Sequence, residues 1–576
     1  MIVRGISGAR GIGLGKVYVY THEDVVIPKD KIEESAVADE QAQIMAALDK
    51  TVAQLEAIRD KTAQTMGKKE SAIFDAHILI AQDPALIDGA KNLVAIEQCT
   101  AAEAVSRTVE QFAAVFSAMD DEYMRARGAD IKDIGDRLLR NVLGMTPLGL
   151  SHLTEEVILV ANDLTPSDTA SLDKRLVKGI VTACGGPTSH AAIMARTLEI
   201  PAVMGVGYID SFTDGARAIV KGSEGEVLLD PTETEWQEYA VKADNYQRQV
   251  QELKNTAKLE AVTKDGHAVL LYGNMGKVRD IERIKQVGGT GVGLFRTEFL
   301  YMENDELPSL DKQFATYKQA AEAMEGQPVV IRTMDIGGDK ELKCLNLPKE
   351  MNPFLGYRAI RICLRHPDIL RTQLKAVLKA SAYGKLSVMY PMISSVEEVK
   401  AANAILNEMK EELRQEGTPF DDQLPVGIMV EIPAVAISAE YFAPYVDFFS
   451  IGTNDLCQYT LAVDRMNERI SHLYQPLHPS VLHLIKNTID ASHKYNKITG
   501  MCGEMAGDPV TTMILLGLGL DEFSMNAASI PMVKHIIRSV TLQECQKIAS
   551  LALFMDTAES VLNLAKTELE KRGLNL

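Results

Sequence analysis

The amino-acid sequence predicts an α/β multidomain protein: a small α/β domain with an inserted helical bundle, then a C-terminal (β/α)8 TIM barrel. Three observations support this. Apolar residues recur at helical spacing between about residues 30 and 145, and short strand-like runs return between about 150 and 230. From 261 to 576, eight strand-like runs alternate with helical stretches, as in a TIM barrel.

Composition limits the function classes. The 576 residues suggest three or four domains, and 46% hydrophobic with 24% charged residues is typical of a soluble globular protein. The net charge of −19 argues against a general nucleic-acid binder. Seven cysteines without a CxxC pair disfavour a disulfide framework and a structural zinc site. No stretch approaches the roughly 20 apolar residues of a membrane span, so we expect a cytoplasmic protein without membrane insertion.

The first element is a strand-like run, Lys16–Tyr20, which follows Gly11, Gly13 and Gly15. Glycines in a dinucleotide-binding loop follow a strand and open a helix. Here they precede the strand, so we reject a dinucleotide site. We assign residues 1–22 and 146–230 to one α/β domain.

Residues 23–145 predict the inserted bundle, of about four helices. One buried stripe is visible in the spacing of Ile44, Leu48, Val52, Leu55 and Ile58. Such a bundle usually carries no chemistry and serves as a docking face. An exposed apolar patch around Phe74, His77, Ile78 and Leu79 would provide that face, although the periodicity fits ordinary core residues equally well.

Short strands surround the sequence Gly185-Gly186-Pro187-Thr188-Ser189-His190 in the α/β domain. We expect His190 in the first turn of a helix that Thr188 or Ser189 caps. The partial positive charge of that helix end suits an anion and favours a neutral, nucleophilic imidazole. A histidine at a helix start is by itself more often a capping or packing residue. Residues 231–260, polar and without glycine from 233 onward, predict a helical linker.

The barrel strands carry polar residues at their predicted C-terminal ends, where TIM barrels place their active sites. The eight predicted strands are Val269–Tyr272, Val292–Leu294, Val329–Arg332, Leu386–Met392, Val426–Glu431, Phe448–Gly452, Ile498–Cys502 and Glu522–Met525. The polar residues at or just after five of these ends are Arg296, Arg332, Glu431, Asn454, Asp455 and Cys502.

The chemistry of these side chains is coherent. Glu431 and Asp455 are hard oxygen ligands suited to Mg²⁺, and Mn²⁺ is an alternative. A substrate carrying phosphate and carboxylate groups could be neutralised by five cations: Arg296, Arg332, Arg358, Arg465 and Lys340. Cys502 is either an inert buried thiol or, facing an anionic site, a proton donor.

Seven segments together resemble the enzyme I family of the bacterial phosphoenolpyruvate:sugar phosphotransferase system, and the resemblance covers nearly the whole chain. Besides the His190 motif they are Asp163–Ser167, Gly291–Phe299, Arg332–Lys340, Asn352–Arg358, Ser450–Leu456 and Met501–Glu504.

The resemblance implies a swivelling domain in which His190 is phosphorylated at Nε2. It implies a general, non-sugar-specific phosphotransferase that passes the phosphoryl group of phosphoenolpyruvate through His190 to a histidine of the phosphocarrier protein HPr. Phosphoenolpyruvate would be bound by Arg296, Arg332, Arg358, Asn454, Asp455, Arg465 and Lys340. Glu431 and Asp455 would hold Mg²⁺, and Cys502 would protonate the enolate of pyruvate. HPr would dock on the helical insertion, and the barrel, residues 261–576, would form a homodimer.

The chain departs from the family pattern beside the histidine. Pro187 stands where the family usually has arginine, which removes a cation near the phosphohistidine and would slow one transfer step. Ala191 and Ala192 replace the more usual Thr-Ser, as in pyruvate phosphate dikinase.

Three alternatives fit the sequence less well. Phosphoenolpyruvate synthase and pyruvate phosphate dikinase need a nucleotide-binding module of a few hundred residues, whereas about 180 mostly helical residues precede the His190 motif. A nitrogen-related paralogue would carry an N-terminal sensory domain, whereas this sequence starts at the first strand. A catalytically silent scaffold would have lost its catalytic residues, whereas His190, Glu431, Asp455 and Cys502 are all present.

Overall fold

The computed structural model describes residues 1–21, 25–65, 68–117, 122–145, 150, 153–170, 172–187, 189–302, 306–337, 350–467 and 469–574. The chain divides into two compact units, Met1–Gln249 and Val250–Leu576. Within the described residues, no helix is both long enough and apolar enough to cross a membrane.

The first unit is built around a mixed sheet, for which the described residues supply eight strands. These are β1 (Ile2–Arg4), β2 (Ile6–Ala9), β3 (Ile12–Tyr20), β4 (Val157–Ala161), β5 (Val177–Thr182), β6 (Ala202–Met204), β7 (Arg217–Lys221) and β8 (Glu226–Leu229). Their order is β1-β8-β7-β3-β4-β5-β6-β2. The pairs β3–β4, β4–β5 and β5–β6 are parallel, and the other pairs are antiparallel. Strand β4 is buried along its whole length because apolar clusters cover both faces of the sheet.

A helical bundle separates β3 from β4 in the sequence, although these strands are neighbours in the sheet. The described residues form five helices there, whereas the sequence predicts about four: α1 (Val37–Thr65), α2 (Lys68–Ala81), α3 (Pro84–Glu97), α4 (Ala101–Ser117) and α5 (Glu122–Val142). Helix α3 begins with a proline behind the cap Asp83, whose carboxylate accepts a hydrogen bond from the Ala85 amide (2.9 Å). It ends at Gln98, in a left-handed conformation.

The burial of two side chains in the bundle contradicts part of the predicted exposed apolar patch. Phe74 is only 2% exposed and His77 is fully buried, because both side chains face the interior of the first unit. Ile78 is partly buried and packs against the bundle core. Leu79, in contrast, is 71% exposed. An exposed patch containing Phe74 and His77 is therefore wrong, and Leu79 alone of the four residues lies at the surface.

Polar contacts join the bundle to the segment that follows β4. Helix α6 (Pro166–Ala170) contributes the Ser167 hydroxyl, which donates to Asp133 Oδ2 of α5 (2.8 Å). The neighbouring Asp168 accepts a hydrogen bond from the Tyr20 hydroxyl at the end of β3 (2.7 Å). The same unit contains α7 (His190–Leu198) and most of α8 (Glu233–Thr256), which runs into the second unit.

The second unit confirms the predicted TIM barrel. Eight parallel strands close in the order β10-β11-β12-β13-β14-β15-β16-β9. They are β9 (Leu270–Met275), β10 (Val292–Phe295), β11 (Val329–Arg332), β12 (Leu386–Tyr390), β13 (Val426–Val430), β14 (Phe448–Ile451), β15 (Ile498–Met501) and β16 (Glu522–Met525). Each predicted strand overlaps one of these.

Helices surround the barrel and shield its strands from water. The described helices are α9 (Asp280–Gln286), α10 (Phe299–Met302), α11 (Leu310–Ala323), α12 (Ile360–Arg365), α13 (Pro367–Ser381), α14 (Val396–Glu416), α15 (Pro433–Ile437), α16 (Ala439–Phe442), α17 (Thr453–Leu461), α18 (Pro479–Lys494), α19 (Pro509–Leu518), α20 (Ile530–Ser539), α21 (Leu542–Leu553) and α22 (Ala558–Glu570). A separate buried cluster fills the barrel interior and comprises Leu294, Val330, Met389, Met429, Phe448 and Cys502.

Candidate active site at the carboxyl end of the barrel

Strand periodicity places the charged residues at the mouth of the barrel. Leu294, Val330 and Met429 belong to the interior cluster. Because side chains alternate along a strand, the residue two positions further faces the same way. Those residues are Arg296, Arg332 and Glu431, at or beyond the carboxyl ends of β10, β11 and β13.

Arg332 is held between two carboxylates. Its Nη2 atom lies 2.6 Å from Glu298 Oε1, and its Nη1 atom lies 3.1 Å from Asp335 Oδ2. Burial alone would lower the pKa of Arg332, but the carboxylates of Glu298 and Asp335 raise it above its ordinary value. The buried Nε atom of Arg332 has no hydrogen-bond partner among the described residues, so one oriented donor is left for a ligand.

Arg358 continues this chain of alternating charges. Its guanidinium contacts Asp335 through Nε (2.8 Å) and Nη2 (3.0 Å), and Nη2 also lies 3.1 Å from Asp455 Oδ2. Arg465, which is partly buried, approaches Asp455 Oδ1 at 3.8 Å. The Tyr459 hydroxyl accepts from Arg358 Nη1 (3.3 Å). Arg332, Arg358 and Arg465 are therefore connected through two aspartates.

Glu431 and Asp455 form an acidic pair on the same side of the mouth. Burial, together with the negative charges of Asp455 and Asp335, raises the pKa of Glu431 to about 8. Glu431 Oε1 accepts from the backbone amide of Met392 (2.6 Å), a residue with φ of +56°. Such a backbone conformation is uncommon for a residue other than glycine, and it aims the amide at the carboxylate.

This pair fits a divalent cation. Asp455 Oδ1 is buried and has no hydrogen-bond partner within the described residues. Within the residues that the structure describes, no group of three or more histidine, cysteine, aspartate or glutamate side chains is placed to hold a metal ion. Two carboxylates suit Mg²⁺, which binds through one or two carboxylates and keeps other positions for water and substrate oxygens.

Cys502 lies just beyond β15 and borders a cavity of about 1050 Å³. Its thiol is buried, and burial raises the pKa of Cys502 to about 11, so the thiol keeps its proton at neutral pH. Its carbonyl oxygen accepts from the Asn274 side chain (3.0 Å), which in turn accepts from Ser524 Oγ (2.7 Å). Arg296 lines the same cavity and is exposed.

Asn454 lies in the first turn of α17, beside Asp455. Its side-chain oxygen accepts a hydrogen bond from the backbone amide of Glu504 (2.9 Å), which fixes the amide group next to the Cys502 loop. Asn454 therefore lies at the carboxyl end of β14, and the Cys502 loop lies at the carboxyl end of β15.

His190 belongs to the other unit, where it is the first residue of α7 and exposed. Ser189 is the N-cap, since its hydroxyl accepts from the Ala192 amide (3.3 Å) and donates to the Gly186 carbonyl (2.8 Å). Arg196 reaches back along the helix and donates to the carbonyls of Pro187 (2.6 Å) and Gly8 (2.8 Å). The predicted cap and helix start are thus present. Thr188 lies outside the described residues.

Eight of the predicted site residues gather at the carboxyl end of the barrel: Arg296, Arg332, Arg358, Glu431, Asn454, Asp455, Arg465 and Cys502. Lys340 falls in 338–349, outside the described residues. Glu298, Asp335, Tyr459 and Asn274 are not among the predicted site residues. Glu298 and Asp335 stood within quoted motifs, but a motif does not reveal which charged residue contacts which.

Three protein-family profiles match the chain in succession. They are described as "PEP-utilising enzyme, N-terminal" (residues 4–127), "PEP-utilising enzyme, mobile domain" (153–225) and "PEP-utilising enzyme, PEP-binding domain" (250–542). The mobile-domain match contains His190, and the PEP-binding match contains the arginine–carboxylate cluster.

Curated relatives named phosphoenolpyruvate-protein phosphotransferase match nearly the full length. The protein from Priestia megaterium is 47% identical over 98% of this chain and 98% of its own length. The one from Haemophilus influenzae is 46% identical over 100% of both chains, and the one from Staphylococcus carnosus 46% over 98% of both. These matches confirm the predicted enzyme class and favour it over the alternatives weighed above. The chain belongs to the phosphoenolpyruvate-protein phosphotransferase family.

Proposed function

We propose that this chain takes the phosphoryl group of phosphoenolpyruvate at the mouth of the barrel and carries it on His190. It then passes the group to a histidine of the carrier HPr and releases pyruvate. The observation that carries the proposal is the buried network of Arg332, Arg358 and two aspartates beside a protonated thiol.

Substrate binding rests on the arginines. Arg296, Arg332 and Arg465, with Asn454 and Arg358, would hold the phosphate and carboxylate of phosphoenolpyruvate, because guanidinium groups match both anions bidentately. We retain Lys340 as a further substrate contact. Glu431 and Asp455 would hold Mg²⁺, or Mn²⁺ in its place. When bound there, the cation would neutralise charge on the phosphoryl oxygens.

The chemical step needs a nucleophile and an acid. His190 Nε2 attacks phosphorus, the bond from phosphorus to the enolate oxygen breaks, and the enolate of pyruvate leaves. Cys502 then gives its proton to the methylene carbon of the enolate, which becomes the methyl group of pyruvate, and the thiolate regains a proton from water. The raised pKa of Cys502 supports this role, since an acid must arrive protonated.

Each part of the chain has a role in this proposal. The phosphohistidine domain comprises residues 1–22 and 146–230, and HPr docks on residues 23–145. Residues 231–260 connect these parts to the barrel. The barrel, residues 261–576, binds phosphoenolpyruvate and forms the dimer. Leu79 is accessible to a partner, because its side chain is 71% exposed at the bundle surface. Ile437 and Tyr441, 68% and 72% exposed on α15 and α16, are compatible with a barrel homodimer. We place the protein in the cytoplasm.

The test is labelling with radioactive phosphoenolpyruvate and Mg²⁺, comparing the wild type, His190→Ala and a control, His483→Ala. His483 is an exposed histidine on α18. We expect acid-labile, base-stable label on the wild type and the control, absent from His190→Ala and chased onto added HPr. No label on the wild type would indicate a silent scaffold. Label whose discharge needs ATP or pyrophosphate would indicate a dikinase-type enzyme.

A further inference from the structure

Two buried arginines of the barrel mouth share one carboxylate. Asp335, only 1% exposed, contacts Arg332 through Oδ2 and Arg358 through both oxygens, at distances from 2.8 to 3.1 Å. Two guanidinium groups this close would repel each other in a poorly solvated site. The carboxylate between them therefore sets both their separation and their orientation.

The backbone around Asp335 is built to hold it in place. The preceding amide, of Met334, donates to the buried side chain of Gln373 (2.9 Å), which also donates to Thr297 Oγ1 (3.1 Å). Thr297 Oγ1 in turn donates to the carbonyl of Arg332 (2.9 Å). The carboxylate and one of its arginines are thus fixed to the same buried polar framework.

The chain on the other side of Asp335 is packed directly against the second arginine. Gly337 has a φ of +108°, and a Cβ atom there would lie 2.6 Å from the carbonyl oxygen of Tyr357, so only glycine fits. Ala359, immediately after Arg358, has φ of +53° and ψ of −122°, and its amide donates to the Ile336 carbonyl (2.9 Å). An alanine holds such a conformation only where its surroundings impose it.

We propose that Asp335 is a positioning residue that aligns Arg332 and Arg358 to receive the anionic groups of phosphoenolpyruvate. The inference rests on the proposed function, because it takes that molecule as the ligand of these arginines. The unpartnered Nε of Arg332 is one donor that this alignment leaves available. Among the described residues, Glu298 pairs with Arg332 (2.6 Å), whereas Asp335 pairs with both Arg332 and Arg358.

The test compares Asp335→Asn with Glu298→Gln, both isosteric neutral changes, in the full-length protein. The rate of His190 labelling is measured against phosphoenolpyruvate concentration. We expect Asp335→Asn to raise KM by about tenfold or more with a smaller change in kcat, because misaligned arginines lose charge-assisted hydrogen bonds to the substrate. Glu298→Gln should raise KM less. Transfer in reverse, from phosphorylated HPr to His190, should stay at the wild-type rate in both variants.

A third variant separates alignment from simple neutralisation of buried charge. Asp335→Glu keeps the negative charge but moves the carboxylate by one methylene, so we expect a raised KM in a protein that still folds. The KM of Asp335→Glu also tests the inference if Asp335→Asn does not fold. A wild-type KM in either folded Asp335 variant overturns the inference, as does a larger effect of Glu298→Gln. If the wild type takes no label from phosphoenolpyruvate, the proposed function has failed instead.

Discussion

A buried acid inside the barrel makes its stability depend on pH. Glu522 begins β16, is 5% exposed, and lies in space left by glycines: a Cβ on Gly500 would come within 3.1 Å of its carboxyl carbon. Burial, with a smaller contribution from the charge of Asp521, raises the pKa of Glu522 from 4.5 to about 8. The substitution Glu522→Gln replaces this group by a neutral one of the same shape.

The direction of the pH dependence follows from the number of protons that the folded and unfolded chains bind. Below pH 4.5 the folded and unfolded chains both carry the proton, so Glu522 does not make the free energy of unfolding depend on pH there. Between pH 4.5 and 8 the folded barrel keeps a proton that the unfolded chain has released, so the free energy of unfolding falls by about 1.4 kcal/mol per pH unit as pH rises. The loss is about 3 kcal/mol at pH 7 and levels off above pH 8 at about 5 kcal/mol.

Glu522→Gln should remove this loss. Relative to the wild type, we expect the free energy of unfolding to increase by less than about 1 kcal/mol at pH 5, by about 3 kcal/mol at pH 7 and by about 5 kcal/mol at pH 9. The single tryptophan, Trp236, belongs to the first unit, so the barrel needs a probe of its own. Hydrogen exchange of the barrel-strand amides, compared between variants at equal pH, measures the difference. A matched change at exposed Glu570 on α22 should leave it unaltered. An equal gain at pH 5 and pH 9 would refute the reasoning.

Three further predictions concern single side chains. Lys534→Met should remove a pH dependence of barrel stability, because it deletes the buried ammonium that donates to two carbonyl oxygens; hydrogen exchange would show it, and the same pH dependence in both proteins would contradict it. Since burial lowers the pKa of Lys534 to about 8, the wild type alone should gain stability from this group between pH 8 and 10.5. Cys502→Ala should slow pyruvate formation by roughly 10²–10⁴-fold, while phosphorylated HPr still transfers its phosphoryl group to His190; equal loss of both reactions would argue against a proton-donor role. Ser189→Ala removes the cap of α7 and should lower local stability by about 1 kcal/mol, read as faster amide exchange in that helix; unchanged exchange would show that the cap contributes nothing.

The barrel was predictable, and so was the position of several candidate site residues at its mouth, because these rest on local patterns. Apolar runs revealed the strands, and Arg332 and Glu431 drew attention because they end such runs. Asp335 was not predictable in this way, since it lies in an irregular segment beyond β11, where no periodicity fixes the direction of a side chain. Its role as the shared partner of two arginines comes from contacts between segments far apart in sequence.

The bundle shows two other limits. Helix α3 ends at Gln98, which adopts the left-handed conformation that glycine usually supplies, so a search for glycine and proline does not detect this break. Helical periodicity also assigns Phe74 and His77 to a face of α2 without indicating what covers it. That face is buried, whereas Leu79 remains at the surface.

The parallel pairing of β3 with β4 bears on the order in which the first unit folds. Tyr20 lies opposite Ala161, yet the whole bundle separates these strands in the sequence. Bringing the ends of such a long segment together costs chain entropy before the pair gains anything, and parallel pairs need a crossover connection in any case. A bundle that has already folded shortens the effective loop. We therefore expect the helices to form first and the central strands to pair afterwards, because the folded insertion brings β3 and β4 close together.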